Sequence, residues 1–164
     1  MVETLDLQLV RRLVRSVSDP EIPILSIEDL GILREIKINN EGIVVVITPT
    51  YVGCPAMDTI REDILSVLTK NGFDNVSVET SLSPAWTTDW LSEDGRKKLL
   101  SIGIAPPNET AQTKRALMSR DAPARCPQCH STDTECVSEF GSTACKALYR
   151  CVSCLEPFDY FKCI

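Results

Sequence analysis

Residues 43–72 read IVVVITPTYVGCPAMDTIREDILSVLTKNG, and the change of period inside this stretch decides the fold of the first half of the chain. From Ile43 to Thr48 the run is apolar and β-branched, which suits a central strand. Beyond Cys54 the apolar spacing becomes helical. Met57, Ile60, Ile64 and Val67 form one stripe, Pro55 suits the first helical position, and Asn71-Gly72 supplies the stop. Val76, Val78 and Thr80 then alternate as another strand. A strand, a helix and a strand of these lengths predict a right-handed crossover with the two strands parallel.

Working outward, Ile32, Ile36 and Ile38 alternate with Leu33, Glu35 and Lys37, and NNEG turns that strand back into residues 43–48, so a hairpin precedes the crossover. Before it, Leu7, Val10, Val14 and Val17 repeat at helical spacing with Arg11, Arg12 and Arg15 opposite. The loop DPEIPILSIEDLG, stiffened by two prolines, joins this first helix to the hairpin. After the third strand, Trp86 and Trp90 are expected to pack in the core, with a partner surface as the alternative. Ser92, Glu93 and Asp94 open a short helix that Gly103 ends. Residues 105–124 are polar, carry prolines and read as a linker. The expected organisation is α+β: a small α/β domain with helix, hairpin and βα unit over 1–104, then the linker, then a β module over 125–164.

CPQCH at 126–130 fits haem attachment, dithiol redox chemistry and half of a metal site. CVSC at 151–154 repeats the two-residue gap and makes Cys126, Cys129, Cys151 and Cys154 a four-thiolate set. TECVSEF, KALYR and FDYFK supply three short strands around it, as in a zinc ribbon. So small a core gains much of its folding free energy from a metal. Structural zinc is the first expectation, and an iron–sulfur cluster on the same thiolates the alternative. Cys136, Cys145 and Cys163 are expected as small packed side chains, with additional ligation as the sharper alternative. His130 is crowded against Cys129 and is expected to be a bystander.

Cys54 belongs to a different chemistry. It stands where a strand meets a helix N-terminus, and the partial positive charge there is expected to lower its pKa. That makes it a candidate ligand for a metal or cluster in transit; burial under the loop is the alternative. Asp19 and Glu21 join it if the first loop covers that end of the sheet.

With 23 acidic and 17 basic residues the net charge is −6, which disfavours nonspecific binding to phosphates. A ribbon that binds nucleic acid has only Lys114, Arg115, Arg120 and Arg125 in its favour. The N-terminus reads neither as a signal peptide nor as a membrane span, so a cytoplasmic location with reduced thiols is expected. There is no E-x-x-H pair, no nucleotide fingerprint and only one histidine, which suits a helper better than a catalyst.

SDPEIP and SIEDLGILREI followed by TPTYVGCP resemble the iron–sulfur-assembly domain family that includes SufT. GRKKLLSIGIAPP, CPQCHSTDTECVSEFGSTACKALYRC and EPFDYFKCI are similar to the PaaD family of the phenylacetyl-CoA epoxidase system. The resemblance spans nearly the whole chain. It implies an accessory protein of aerobic phenylacetate degradation that helps mature the iron centres of the epoxidase, with the oxygenase or reductase subunits as partners. It points to Asp19, Glu21, Thr50 and Cys54 as the residues that handle iron or a cluster. An integral electron-transfer subunit carrying a cluster is the second reading. The sequence carries no signal for the number of copies.

Overall fold

The computed structural model describes residues 2–39, 42–107 and 124–162. The elements are α1 (Val2–Arg15), β1 (Leu33–Asn39), β2 (Gly42–Ile47), α2 (Ala56–Lys70), β3 (Val76–Thr80), a 3-10 turn (Thr88–Trp90), α3 (Glu93–Ser101), β4 (Ile104–Ala105), β5 (Thr134–Ser138), β6 (Lys146–Cys151) and β7 (Pro157–Phe161). They divide into two units. One runs to Trp86 and includes Trp90–Ser92; the other holds Thr87–Asp89 and the residues from Glu93 onward.

In the first unit the sheet order is β1-β2-β3, with β1 antiparallel and β3 parallel to β2. The expected hairpin and crossover are both present. On β2 only alternate residues, Ile43, Val45 and Ile47, are fully buried, while Val44 and Val46 stay half-covered. The apolar run therefore serves one closed face rather than two. Val10 and Val14 of α1 and Ile60, Ile64 and Leu68 of α2 lie in the core. Leu68, not Val67, completes the α2 stripe, because a period of 3.6 carries the buried row from Ile60 through Ile64 to Leu68. Each such side chain contributes roughly 1.5–3 kcal/mol of apolar burial.

Simple alternation fails on β1. The register slips between Leu33 and Glu35, so Leu33 pairs with the buried Ile47 while Ile36 pairs with Val45. The extra residue, Arg34, is a bulge. It moves Leu33 onto the face expected for Ile32, and its guanidinium lies 3.5 Å from the centre of the Trp90 ring. Ile32 is buried all the same, with its carbonyl accepting from the Thr48 amide. Trp86 is 5% exposed and donates its indole N–H to the Leu30 carbonyl at 2.8 Å, as a core residue should.

The second unit is a four-stranded sheet of order β4-β7-β6-β5. Strands β5, β6 and β7 fall where expected. The short β4 was not expected; it pairs parallel to β7, Ile104 with Asp159 and Ala105 with Tyr160. Residues 93–105, read from sequence as the end of the first domain, are thereby tied to this sheet. Arg96 of α3 reinforces the tie by donating to the carbonyls of Thr88 and Pro107. Its core gathers Ala105, Ala124, Ala147, Tyr149 and Phe158 with Cys126 and Cys151. Most of the linker expected at 105–124 lies outside the described residues.

Candidate metal centre and the Cys54 turn

Two chain reversals build the four-sulfur group, and they are near copies of each other. In the first, the His130 amide donates to the Cys126 carbonyl and the Cys126 amide to the Ser131 carbonyl, both at 2.9 Å. In the second, the Leu155 amide donates to the Cys151 carbonyl at 3.0 Å and the Cys151 amide to the Glu156 carbonyl at 2.9 Å. His130 (φ 62°) and Leu155 (φ 67°) close them, each in the left-handed region. A hydrogen bond of 2.8 Å between the hydroxyls of Ser131 and Ser153 joins the two reversals.

The sulfurs of Cys126, Cys129, Cys151 and Cys154 all lie within 4.8 Å of one another. Cys126 is 3.7 Å from Cys154, and Cys129 is 3.5 Å from Cys151. A single tetrahedral ion with metal–sulfur bonds of about 2.3 Å sets sulfurs about 3.8 Å apart, so the donors fit one ion. A cluster divides the four cysteines among two or four irons and spreads the sulfurs further. Backbone amides aim at the sulfurs. The Cys154 N–H, chiefly, holds Cys151 down to about 7. At Cys154 the Glu156 amide also lowers the pKa, but burial and the three neighbouring thiols push it up to about 12. Cys151 is thus more acidic than Cys154, and a bound cation would compete with protons for these sulfurs.

Among the other cysteines, Cys145 is buried with its sulfur 3.1 Å from the Thr143 hydroxyl, and Cys136 is exposed on β5. Neither belongs to the four-sulfur group. Cys163 lies outside the described residues. His130 is exposed, and its backbone, not its ring, serves the site. That role was hidden in the sequence, because a left-handed position is usually betrayed by glycine and here is filled by histidine and leucine.

Cys54 ends a hydrogen-bonded turn: its amide reaches the Tyr51 carbonyl at 3.3 Å, and Gly53 adopts φ 83°, as the third residue of a type II turn must. Pro55 caps α2. The thiol is half-buried, and burial raises its pKa, outweighing the lowering by the Ala56 amide and the Tyr51 side chain; Glu21 and Asp19 raise it further. The expected activation by the helix end is therefore overturned. Sequence reading also missed Tyr51, although the first and fourth residues of a tight turn are necessarily neighbours. Thr50 is half-buried at the entry to this turn.

Asp19 and Glu21 act on Cys54 through their charge, but among the described residues the four C-terminal cysteines alone form a group of donors close enough to share an ion. Asp19 is 7% exposed, and its Oδ1 accepts the amides of Glu21 and Ile22 at 2.9 and 2.8 Å, so it also shapes the loop that carries Glu21. The other end of the same loop is pinned by Asp29, which accepts from the amide and hydroxyl of Ser26 while the Ser26 hydroxyl accepts the Asp29 amide. A groove of about 430 Å³ is lined by Asp19, Pro20 and Pro23 on the loop and by Asp63, Val67 and Lys70 on α2; Cys54 is not part of its lining. Among the described residues no helix is long and apolar enough to cross a membrane.

Residues 110–162 match the family described as PaaD zinc beta ribbon domain, and residues 7–80 match the family described as Iron-sulfur cluster assembly protein. The first unit resembles in fold a domain of unknown function, DUF59, from Bacillus anthracis, with a TM-score of 0.52 at 25% identity over 56% of this chain and 89% of that one. A Porphyromonas gingivalis (strain W83) protein named Fe-S protein maturation auxiliary factor is 36% identical over 54% of this chain and 85% of its own length. An Escherichia coli K12 protein named as a candidate subunit of 1,2-phenylacetyl-CoA epoxidase is 51% identical over 152 residues, 93% of this chain and 90% of that protein. With that identity along nearly the full length of both chains, and with the four-cysteine ribbon in place, the chain belongs to the PaaD family.

Proposed function

We propose that this protein is an accessory subunit of a phenylacetyl-CoA 1,2-epoxidase, the ring-oxygenating enzyme of aerobic phenylacetate breakdown, and that it assists assembly of the enzyme's iron or iron–sulfur centres. Two relatives support the reading, one named for that epoxidase and one for Fe-S protein maturation. The observation that carries it is a half-buried thiol, Cys54, at the strand-to-helix turn, within electrostatic reach of the carboxylates of Glu21 and Asp19 on the first loop. Soft and hard donors together suit iron held briefly as cargo. A neutral thiol suits it too, since it binds only when iron displaces its proton and releases when the proton returns.

In this reading the four C-terminal cysteines hold a resident zinc, which fixes the two reversals and so the sheet behind them. Zinc has no redox chemistry, so the module would serve as scaffold or docking element. The sulfur spacing supports a single ion over a cluster, which weakens the alternative of an electron-transfer subunit. The oxygenase and reductase subunits are the expected partners.

The decisive experiment expresses the epoxidase in cells with this protein carrying Cys54→Ala. The expected result is an oxygenase or reductase with several-fold less iron and proportionally less activity; full iron content and activity overturn the role of the thiol. Anaerobically purified protein is expected to be colourless with one zinc per chain. Visible absorption with iron and sulfide would replace the zinc assignment by a cluster.

A further inference from the structure

The turn that carries Cys54 also carries an unusual surface. Val52, at its tip, is 81% exposed, more than any other large apolar side chain among the described residues. Leu82 is 57% exposed, two residues past the end of β3. Because β2 and β3 are parallel, both chains leave the sheet at the same end; Ile47 is paired with Thr80, and the Ser81 amide still bonds to the Ile47 carbonyl at 2.8 Å. Val52 and Leu82 therefore belong to one rim, together with the thiol. Ile24, 42% exposed, stands on the loop that brings Glu21 toward Cys54. Nothing in the fold of this unit requires apolar side chains at these places, and clustered exposure of this kind marks an interaction site.

The charge of the rim is predominantly acidic. Asp19, Glu21 and Asp58 lie in segments 19–25, 47–60 and 80–84, and the nearby cation, Arg61, is engaged by the Val78 carbonyl and the Thr80 hydroxyl. Over residues 1–92 as a whole, fourteen acidic residues face seven basic ones. A second copy of the chain would bring the same carboxylates, and like charges across an interface repel. The complement is a surface with an apolar depression flanked by basic side chains.

We propose that the Val52–Leu82 rim around Cys54 docks a partner protein through an apolar contact framed by lysine or arginine on the partner. The proposal rests on the reading of Cys54 as the residue that hands over iron, and it identifies the surface on which the handover takes place. Val52 and Leu82 supply apolar anchors, the carboxylates set orientation and encounter rate, and docking covers the thiol.

The test uses the zinc-loaded, full-length protein and, as probes, the separately purified oxygenase and reductase subunits of the same epoxidase. Val52→Asp and Leu82→Asp place charge on exposed sites, so their melting temperatures should match wild type. Each is expected to weaken binding at least tenfold, and wild-type binding is expected to weaken between 50 and 300 mM salt, whereas Cys54→Ala should bind as wild type does. Wild-type affinity in both aspartate variants, indifference to salt, or no binding of the wild type to either subunit overturns the proposal. So does self-association that Val52→Asp abolishes, which would assign the rim to a second copy. A Cys54→Ala protein that binds normally and still supports full iron content refutes the handover while leaving the docking surface in place.

Discussion

Cys54 is a thiol rather than a thiolate at neutral pH, because burial and two nearby carboxylates outweigh the amide and the tyrosine that favour its charge. Its pKa lies above the ordinary cysteine value, so the reactive form is scarce at pH 7 and accumulates only as pH rises past that value. Peptide-resolved alkylation with iodoacetamide is therefore expected to be slower at Cys54 than at a cysteine in an unstructured peptide, and to be accelerated by Glu21→Gln, which removes a raising charge. Faster alkylation than the peptide would show that the helix end dominates. The position of Cys54 was legible in the sequence as a strand-to-helix junction; its burial was not, since that depends on tertiary packing rather than on local pattern. Asp19 shows the converse. From sequence it is one of several acids in a loop, yet its side chain accepts two amides. Asp19→Ala is expected to cost about 1–3 kcal/mol in urea denaturation, the usual penalty for leaving buried amides unpaired.

Among elements, the tight turns hold the information that apolar periodicity cannot supply. Gly31 and Gly53 both sit at positive φ, but a Cβ on Gly31 would meet the Trp90 carbonyl oxygen at 2.5 Å, whereas one on Gly53 would meet nothing within 4 Å. Gly31→Ala is thus expected to destabilise well beyond the roughly 1 kcal/mol of backbone strain that Gly53→Ala incurs, a difference readable in thermal melts. The two cysteine reversals each hold a side-chain-bearing residue in the left-handed region. Leu155→Gly is expected to stabilise the metal-loaded module by up to about 1 kcal/mol, and His130→Ala to retain the metal in full; loss of metal from that variant would make the ring a ligand. The strands of the ribbon were legible because short alternating segments flank the cysteines. The bulge at Arg34 was not, because one inserted residue leaves the composition of a strand unchanged while reversing its faces.

At the scale of the whole molecule, the two units have different sources of stability. The first is held by an apolar core under a sheet, the second by a thin sheet anchored at four sulfurs. Removing the metal with a chelator is expected to release hydrogen-exchange protection across β4 to β7 and α3 while β1, β2, β3 and α2 stay protected. Uniform loss in both units would mean that they fold as one. The boundary between them was the least legible feature, since β4 is two residues long and its partner lies far along the sequence. That separation bears on how the chain is made. Ala105 pairs with Tyr160, so at a synthesis rate of about 5–20 residues per second α3 and β4 leave the ribosome roughly 3–11 s before the strand that covers them exists. Leu99, Ile104 and Ala105, all buried in the finished protein, spend that interval uncovered. The first unit can fold during translation, whereas the ribbon must wait until β7 has been made, and that delay is a window for chaperones and for the metal to reach the cysteines.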